Sequence, residues 1–191
     1  MSTKHMLAIL GSPRKEGNLS QMLDHTISIA KEKGYEVHFI SLYDQNIAYC
    51  KGCMGCKTTG SCCIPDDIKP IEALLKTADV TVLAAPTYFA NVPAPVKNLF
   101  DRLVAVIMDD NHSFIPKPQL SSNQGYLLLT TCSTPAPFDR LAHQSTGCLK
   151  AMKEFFKTSG MHHLGNVVYA GTKNKTNVPD KILRKIERKL P

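Results

Sequence analysis

The length, composition and charge of the chain limit what it can be. It has 191 residues, 43% of them hydrophobic, so one domain of ordinary size can bury a core that needs no disulfide bonds. The net charge of +7 is spread along the chain without a basic stripe and interleaved aromatic residues, so it does not favour nucleic-acid binding. The first apolar run, residues 6–10, is too short for a signal sequence or a membrane span, and we expect no membrane contact.

The cysteines are concentrated in one segment. Of seven cysteines, five lie between residues 50 and 63. An odd number packed into a short loop is unlike the disulfide framework of a secreted domain, and is more typical of metal or redox chemistry in a reducing compartment. We therefore expect a cytoplasmic protein with a single domain over residues 1–191 and a Cys-rich loop at about 50–63.

Short apolar runs that end in loops rich in Gly, Ser, Thr or Pro predict buried parallel strands. In chain order, the predicted strands are residues 6–10, 37–42, 80–85, 126–129 and 166–170. The predicted helices are residues 18–33, 68–77, 95–107, 143–158 and 179–189. This alternation predicts an α/β fold: a flavodoxin-like, doubly wound, five-stranded parallel sheet of order 2-1-3-4-5, with helices on both faces. A ligand would then bind beyond the carboxyl ends of the strands.

The loop after the first predicted strand, residues 11–20, has the composition of a phosphate site. Hydroxyls, a guanidinium and helix N-terminal amides converge there, and Asn18 is suited both to cap the helix and to donate from its side chain. The candidate phosphate-binding residues are Ser12, Arg14, Asn18, Leu19 and Ser20. The loop lacks both the Walker and the GxGxxG patterns, so it does not indicate a triphosphatase or a dinucleotide site. The alternative is an ordinary strand-to-helix turn.

The loop after the third predicted strand, residues 86–95, is the more distinctive. Together, the Gly-Ser-Pro-Arg and Gly-Asn-x-Ser pattern of the first loop and the Pro-Thr-Tyr-Phe-Ala-Asn pattern of this one resemble the NAD(P)H-dependent FMN reductase family. The resemblance implies that this loop wraps the flavin ring through Pro86, Thr87, Tyr88, Phe89, Ala90 and Asn91. Core packing is the alternative for the two aromatic residues.

The loop after the fourth predicted strand, residues 130–135, lies where the family's remaining flavin contacts are expected. We assign Thr131 and Ser133 to the cofactor site on that basis. Cys132 lies between them, but no motif supplies a base to activate it, and cysteine is often a small buried residue. We therefore interpret Cys132 as a packing residue.

The Cys-rich loop has the spacing Cys-x2-Cys-x2-Cys-x5-Cys through Cys50, Cys53, Cys56 and Cys62. Four thiolates this close can hold an iron–sulfur cluster, and tetrahedral zinc is open to the same ligands. The spacing resembles the compact motif of iron–sulfur flavoproteins, which implies a [4Fe–4S] cluster beside FMN. A third reading is a structured loop of packed, free or reversibly oxidised thiols near the flavin. Cys63 has no assigned place, and the seven histidines show no metal-ligand spacing.

Three functions follow from these patterns. The first is an FMN-dependent oxidoreductase that passes electrons from NAD(P)H to a flavin, a quinone or another small acceptor, with no acid or base assigned to catalysis. The alternative is an iron–sulfur flavoprotein that carries single electrons from a ferredoxin-like donor. The third is a non-catalytic redox or metal-sensing module. The family resemblance also implies a homodimer or homotetramer.

Overall fold

The computed structural model of the chain describes residues 3–110 and 114–191. The strands are β1 Lys4–Leu10, β2 Tyr35–Ser41, β3 Val80–Ala84, β4 Met108–Asp109, β5 Lys117–Pro118, β6 Gly125–Cys132 and β7 His162–Ala170. The helices are α1 Asn18–Glu32, α2 Gly55–Thr59, α3 Ile68–Thr77, α4 Ala94–Arg102, α5 Val104–Ile107, α6 Phe138–Leu141, α7 Gln144–Ser159 and α8 Asp180–Glu187.

Five strands form one parallel sheet in the order β2-β1-β3-β6-β7, and β4 pairs with β5 in a separate antiparallel ribbon. The predicted flavodoxin-like fold class is confirmed, because this order is the predicted 2-1-3-4-5 once the ribbon is set aside. The carboxyl ends of all five strands consequently lie at one edge of the sheet.

Helices cover both faces of the sheet, which explains why its central strands are apolar on both sides. All five residues of β3 are buried. Leu7 and Ile9 of β1 pack in a core cluster that also holds residues of α3, α4 and α7, while Met6 and Ala8 pack with residues of α1 and α8 on the other side. In the described part of the chain, no helix is long and apolar enough to cross a membrane.

The single helix predicted at residues 95–107 is wrong in one respect: it is broken at Leu103 into α4 and α5. Leu103 leaves the helical region, with φ −98° and ψ 7°, while its side chain stays buried. The break lets α5 bury Val106 and Ile107, whereas Val104 is only half-buried.

Strand ends also differ from the prediction. The loop predicted at residues 130–132 is wrong, because these residues continue the pairing of β6 with residues 168–170 of β7. The last strand starts at His162, four residues earlier than predicted, and the pairing is irregular between Tyr126 and Leu127. The apolar pattern missed the start of β7 because its first two residues, His162 and His163, are exposed.

Candidate functional site

The loops after β1, β3, β6 and β7 surround a cavity of about 620 Å³ at the carboxyl edge of the sheet. Its lining is Ser12, Arg14, Glu16, Gly17, Asn18, Leu19, Pro86, Thr87, Tyr88, Thr131, Ser133 and residues 172–176. The volume lies within the range of small-molecule and cofactor sites. The structure therefore brings most of the predicted cofactor-binding residues together at the position where doubly wound sheets bind ligands.

The first loop is held in shape by its own hydrogen bonds. The Arg14 backbone N–H donates to Ser12 Oγ at 3.2 Å, and Ser20 Oγ donates to the Arg14 carbonyl at 2.7 Å. Ser20 is buried and lies outside the described lining of the cavity, so in this structure its hydroxyl serves the loop. Gly11 is required for close packing, since a Cβ there would lie 2.3 Å from Val96 Cγ2.

Helix α1 points its N-terminus at this cavity. Its N-cap is Gly17, so the prediction that Asn18 caps the helix is wrong: Asn18 is the first helical residue. The backbone N–H groups of a first helical turn have no partner within the helix and favour an anion. The first turn of α1 carries no acidic residue, and Arg14 adds an exposed guanidinium on the cavity wall.

Asn18 holds an unsatisfied polar atom beside the cavity. Its Nδ2 donates to the Lys175 carbonyl at 2.7 Å, while its Oδ1 is buried without a hydrogen-bond partner among the described residues. A buried acceptor left unpaired costs about 1–3 kcal/mol, so this atom calls for a donor from a ligand or water. An anion-binding helix end next to an unpaired acceptor fits FMN, which carries both a phosphate and ribityl hydroxyls.

The second loop contains a tight hairpin at residues 88–91. The backbones of Tyr88 and Asn91 exchange two hydrogen bonds of 2.9 Å. The two central residues, Phe89 and Ala90, have φ of 48° and 58°, a left-handed conformation that non-glycine residues rarely adopt. Such strain is characteristic of functional loops. Phe89 is fully exposed at the tip.

The hairpin divides the predicted flavin residues into two groups. Pro86, Thr87 and Tyr88 line the cavity, and the Thr87 N–H donates to the Thr131 carbonyl at 2.9 Å. Phe89, Ala90 and Asn91 are not among the described residues that line this cavity. Asn91 instead lines a neighbouring groove of about 870 Å³ that also includes Cys50. Flavin contacts by these last three residues stay a prediction.

Helix α7 packs against the hairpin at residues 88–91. Gly147 has no side chain, and a Cβ there would lie 2.1 Å from the Ala90 carbonyl oxygen.

The third loop contributes Thr131 and Ser133 to the cavity. Cys132 between them is 4% exposed, in keeping with its interpretation as a packing residue.

A fourth loop, residues 172–176 after β7, also lines the cavity and was not predicted from the sequence. It adds Lys173 and Lys175 to the cavity wall, and Gln21 Nε2 donates to the Thr176 carbonyl at 2.7 Å. The sequence does carry a signal, since Gly171 follows the last strand and a short polar run comes after it. The first loop has the same arrangement, with Gly11 directly after β1 and a polar run behind it.

The Cys-rich loop is anchored to helix α4. Asn98 Nδ2 donates to the carbonyls of Ile47 and Ala48 at 3.2 and 3.3 Å. Asn98 Oδ1 accepts the Cys50 backbone N–H at 3.3 Å. Because α4 follows directly from the flavin loop, one helix positions both the predicted flavin site and the start of the Cys-rich segment.

One turn further along α4, Arg102 uses all five of its N–H donors on the same segment. Its Nη1 and Nη2 bind the Asp66 carboxylate at 2.8 and 2.9 Å and also donate to the carbonyls of Ala48 and Ile64. Its Nε donates to Cys62 Sγ at 3.1 Å. The guanidinium hydrogen bonds hold the pKa of the Asp66 carboxyl below its ordinary value.

Cys56 lies in α2, between Cys53 and Cys62 in the chain. Burial raises the pKa of the Cys56 thiol, and the charges of the other three candidate ligand cysteines raise it further. Gly52 and Met54 take left-handed conformations, with φ of 63° and 59°, which let the loop turn sharply. Cys63 lies beside Cys53, with 3.7 Å between the two sulfur atoms.

The spacing of these thiols bears on the metal they could hold. Zn–S bonds of about 2.3 Å bring thiolates on one tetrahedral zinc within about 4 Å of one another. Among the described residues, the group of three or more His, Cys, Asp and Glu with all ligand atoms within 4.8 Å is His5, Glu36 and His38, and it contains no cysteine. Among the described residues, the candidate ligand cysteines are therefore not gathered at the spacing of a tetrahedral zinc site.

That histidine group lies at the other end of the sheet from the cavity. His5 and Glu36 are paired residues on β1 and β2, and His38 follows two residues later on the same face. Their side chains are 36–56% exposed. The sequence spacing did not reveal the group because strand pairing alone brings it together.

Comparisons with known proteins show the family of the chain. The family model for NADPH-dependent FMN reductase matches residues 5–175. Similar curated relatives include iron–sulfur flavoproteins from Archaeoglobus fulgidus (39% identical over 98 residues, 51% of this chain and 44% of the relative) and Methanosarcina thermophila (38% over 96 residues, 50% of each). The chain thus spans about half the length of the curated relatives it matches.

Among solved structures, an azoreductase from Bacillus anthracis superposes with a TM-score of 0.73 over 98% of this chain and 100% of its own, at 15% identity. An NAD(P)H:quinone oxidoreductase from Methanothermobacter marburgensis gives 0.72 over 98% and 97%, at 14% identity. Identities this low support the fold alone, whereas the family match covers nearly the whole chain. With its phosphate-type loop, strained second loop and doubly wound sheet, the chain belongs to the NADPH-dependent FMN reductase family.

Proposed function

We propose that the chain is an FMN-dependent oxidoreductase that takes electrons from NAD(P)H. The observation that carries the proposal is the cavity of about 620 Å³ at the carboxyl edge of the sheet, with an uncapped helix N-terminus and the unpaired Asn18 Oδ1 beside it. When bound, FMN would accept a hydride from a reduced nicotinamide and deliver electrons to a flavin, a quinone or another small acceptor.

Different residues of the chain would bind different parts of the cofactor. Arg14, Ser12 and the first-turn amides of α1 would bind the phosphate, and Asn18 Oδ1 would accept a ribityl hydroxyl. Leu19, the second helical residue, contributes its backbone amide and is itself buried. Tyr88 is 44% exposed in the cavity wall and would cover part of the ring.

The electrostatics of the site suit an anionic donor. Lys173 and Lys175 on the fourth loop join Arg14 around the cavity, and the whole chain carries +7. Fields of this sign raise the local concentration of anionic nucleotides. We extend the proposal to a cytoplasmic location, the compartment that supplies reduced nicotinamide and keeps thiols reduced.

Anaerobic rapid mixing tests the activity directly. Protein reconstituted with FMN is mixed with NADPH or with NADH, and flavin absorbance is followed. The proposal expects the oxidised flavin bands to bleach with at least one nucleotide and to return when a quinone or free flavin is added. Bound FMN that neither nucleotide bleaches would rule out an NAD(P)H-dependent oxidoreductase.

A second candidate function is electron transfer through an iron–sulfur cluster. The supporting observation is the Cys-x2-Cys-x2-Cys-x5-Cys loop, in which Cys62 Sγ accepts the Nε–H of the buried Arg102. Similar relatives are named iron–sulfur flavoproteins. A [4Fe–4S] cluster on these thiolates would supply one-electron transfer from a ferredoxin-like donor. Cysteines bind the iron as deprotonated thiolates. The Arg102 Nε–H already donates a hydrogen bond to Cys62 Sγ, the atom that would carry the thiolate charge.

Iron and acid-labile sulfide per chain test this candidate. After anaerobic reconstitution, we expect about four of each per chain, as in a [4Fe–4S] cluster. Cys56→Ser should abolish the cluster, whereas Cys63→Ser, the matched control in the same loop, should retain it. Wild-type protein that holds FMN but no iron would remove the candidate and leave the first proposal intact.

We also propose that the chain forms a homodimer or homotetramer. Phe138 and Leu141 of α6 are 60% and 71% exposed, and Phe89 is fully exposed. The hairpin that carries Phe89 packs on Gly147 of α7, the helix that follows α6. Exposed apolar groups near one site are typical of an interaction surface.

A further inference from the structure

Arg102 places a buried positive charge against the Cys-rich loop. It is 2% exposed, and its side chain forms an ion pair with Asp66, whose side chain is 11% exposed. Four of its five donors go to Asp66 and to backbone carbonyls, and these contacts hold the loop. The fifth, Nε–H, donates to the sulfur of Cys62, which is one of the four candidate cluster ligands.

We infer that Arg102 is a positioning residue that raises the reduction potential of the cluster through its hydrogen bond to Cys62 Sγ. This inference rests on the second function proposed above, the [4Fe–4S] cluster. It goes beyond the choice of ligands, because it assigns the tuning of the cluster to a residue of helix α4 that is not a ligand.

The direction of the effect follows from charge. One-electron reduction adds a negative charge to the cluster, and part of that charge resides on the thiolate sulfurs. Hydrogen bonds to the sulfurs and nearby positive charge stabilise the reduced form more than the oxidised form. The low dielectric of the interior strengthens both effects, because Arg102 and Cys62 are buried.

A lysine could not replace Arg102 in this arrangement. The guanidinium is planar and carries five donors in a fixed fork, so it can meet Asp66, the two carbonyls and the Cys62 sulfur together. An ammonium on a flexible stem has three donors that radiate from one atom. Arg102→Lys therefore keeps the charge but gives up the simultaneous contacts.

The test separates tuning from a merely structural role. Wild-type, Arg102→Lys and Asp66→Asn proteins are reconstituted anaerobically and titrated with dithionite, which supplies the electron, while the cluster is followed by electron paramagnetic resonance. We expect Arg102→Lys to weaken cluster reduction about tenfold, a downward shift of about 59 mV for one electron. Asp66→Asn, the matched control, keeps the Cys62 contact, and its potential should not fall.

Other outcomes overturn the inference in distinguishable ways. A cluster-bearing Arg102→Lys protein with the wild-type potential, or equal downward shifts in both variants, would refute tuning and leave the cluster in place. Wild-type protein without iron would refute the cluster and the inference with it.

If the variants fail to hold a cluster, the wild-type protein still gives an answer. With ¹⁵N-labelled arginine, pulsed electron paramagnetic resonance of the reduced wild-type cluster should detect a coupled arginine nitrogen. Absence of that coupling in cluster-bearing wild-type protein would refute the contact.

Discussion

Arg14 and Lys15 are adjacent residues of like charge in different surroundings. Arg14 lines the cavity, whereas Lys15 pairs with Asp44 at 2.9 Å and is not among the described lining residues. Arg14→Ala should weaken FMN binding about tenfold or more, since a charge-assisted hydrogen bond contributes roughly 1.5–3 kcal/mol. Fluorescence titration of the apoprotein with FMN and with riboflavin measures this.

Lys15→Ala is the matched control and should bind FMN nearly as the wild type does. Riboflavin lacks the phosphate, so its affinity should change little in either variant. Equal losses for FMN and riboflavin in Arg14→Ala would contradict a phosphate contact and indicate a general disturbance of the loop.

The ion pair of Asp66 and Arg102 predicts a pH dependence of stability. Because Arg102 lowers the pKa of Asp66 in the folded chain, the pair stabilises the fold above the ordinary carboxyl pKa of about 3.9, and the contribution is lost as pH falls through the lower folded value. Asp66→Asn should reduce the free energy of unfolding by roughly 3 kcal/mol at pH 7. Urea unfolding should show this gap narrowing below about pH 4.

Asp101→Asn is the control for that series. Asp101 is 44% exposed and pairs with Lys97 on the surface of α4, so its loss should change stability by less than about 1 kcal/mol. The difference in free energy of unfolding between wild type and Asp66→Asn could instead stay constant from pH 7 to pH 3. That result would show that the charge of the Asp66 carboxylate does not stabilise the fold.

At the scale of single residues, the local sequence pattern indicated which residues line the cavity better than it indicated their hydrogen-bond partners. Ser12, Arg14 and Thr87, which composition and family resemblance indicate as cofactor-binding residues, line the cavity, and their contacts with a cofactor stay a prediction. The sequence could not predict that Asn18 reaches Lys175, 157 residues away, or that Arg102 reaches Cys62, 40 residues away. Such partners depend on strand order and crossover packing, which no local window contains.

Helix α7 and the hairpin form one structural unit, and Gly147 tests it. Gly147→Ala places a Cβ 2.1 Å from the Ala90 carbonyl oxygen, so either the helix or the strained hairpin must move. Overpacking costs about 1–3 kcal/mol, against a helix-propensity gain of up to about 1 kcal/mol. We expect a net loss of stability and weaker FMN binding, measured by urea unfolding and by flavin titration.

The neighbouring substitution Thr146→Ala is the control, because Thr146 is exposed on the same helix. It should change stability by no more than about 0.5 kcal/mol and leave FMN binding unaltered. If Gly147→Ala raised stability and bound FMN normally, the contact between α7 and the hairpin would not position the flavin loop.

At the scale of elements, the sequence predicted the long periodic segments well and the short ones poorly. The helix predicted at residues 68–77 coincides with α3, and the five main strands all exist. The four- and five-residue helices α2, α5 and α6 were not predicted as separate elements. Segments of that length carry less than two turns of periodicity, and packing and loop closure determine them.

At the scale of the whole molecule, the exposed apolar surface of α6 predicts self-association. Phe138→Asp should shift the protein to a smaller species in light scattering coupled to gel filtration, because a charge at an apolar interface is left without a partner. Phe39→Asp is the control: Phe39 is 49% exposed but lies on β2 at the sheet edge. Wild-type protein that is already monomeric would contradict the prediction.

The direct test of the central claim, that the cavity at the carboxyl edge of the sheet is an FMN site, is the amount of flavin that the protein retains. Purified chain is incubated with FMN or with riboflavin, passed through gel filtration, and analysed for flavin per chain. We predict about one FMN per chain and little riboflavin, because the phosphate-binding loop provides charge-assisted contacts that riboflavin cannot use. Protein that retains neither flavin would contradict the account.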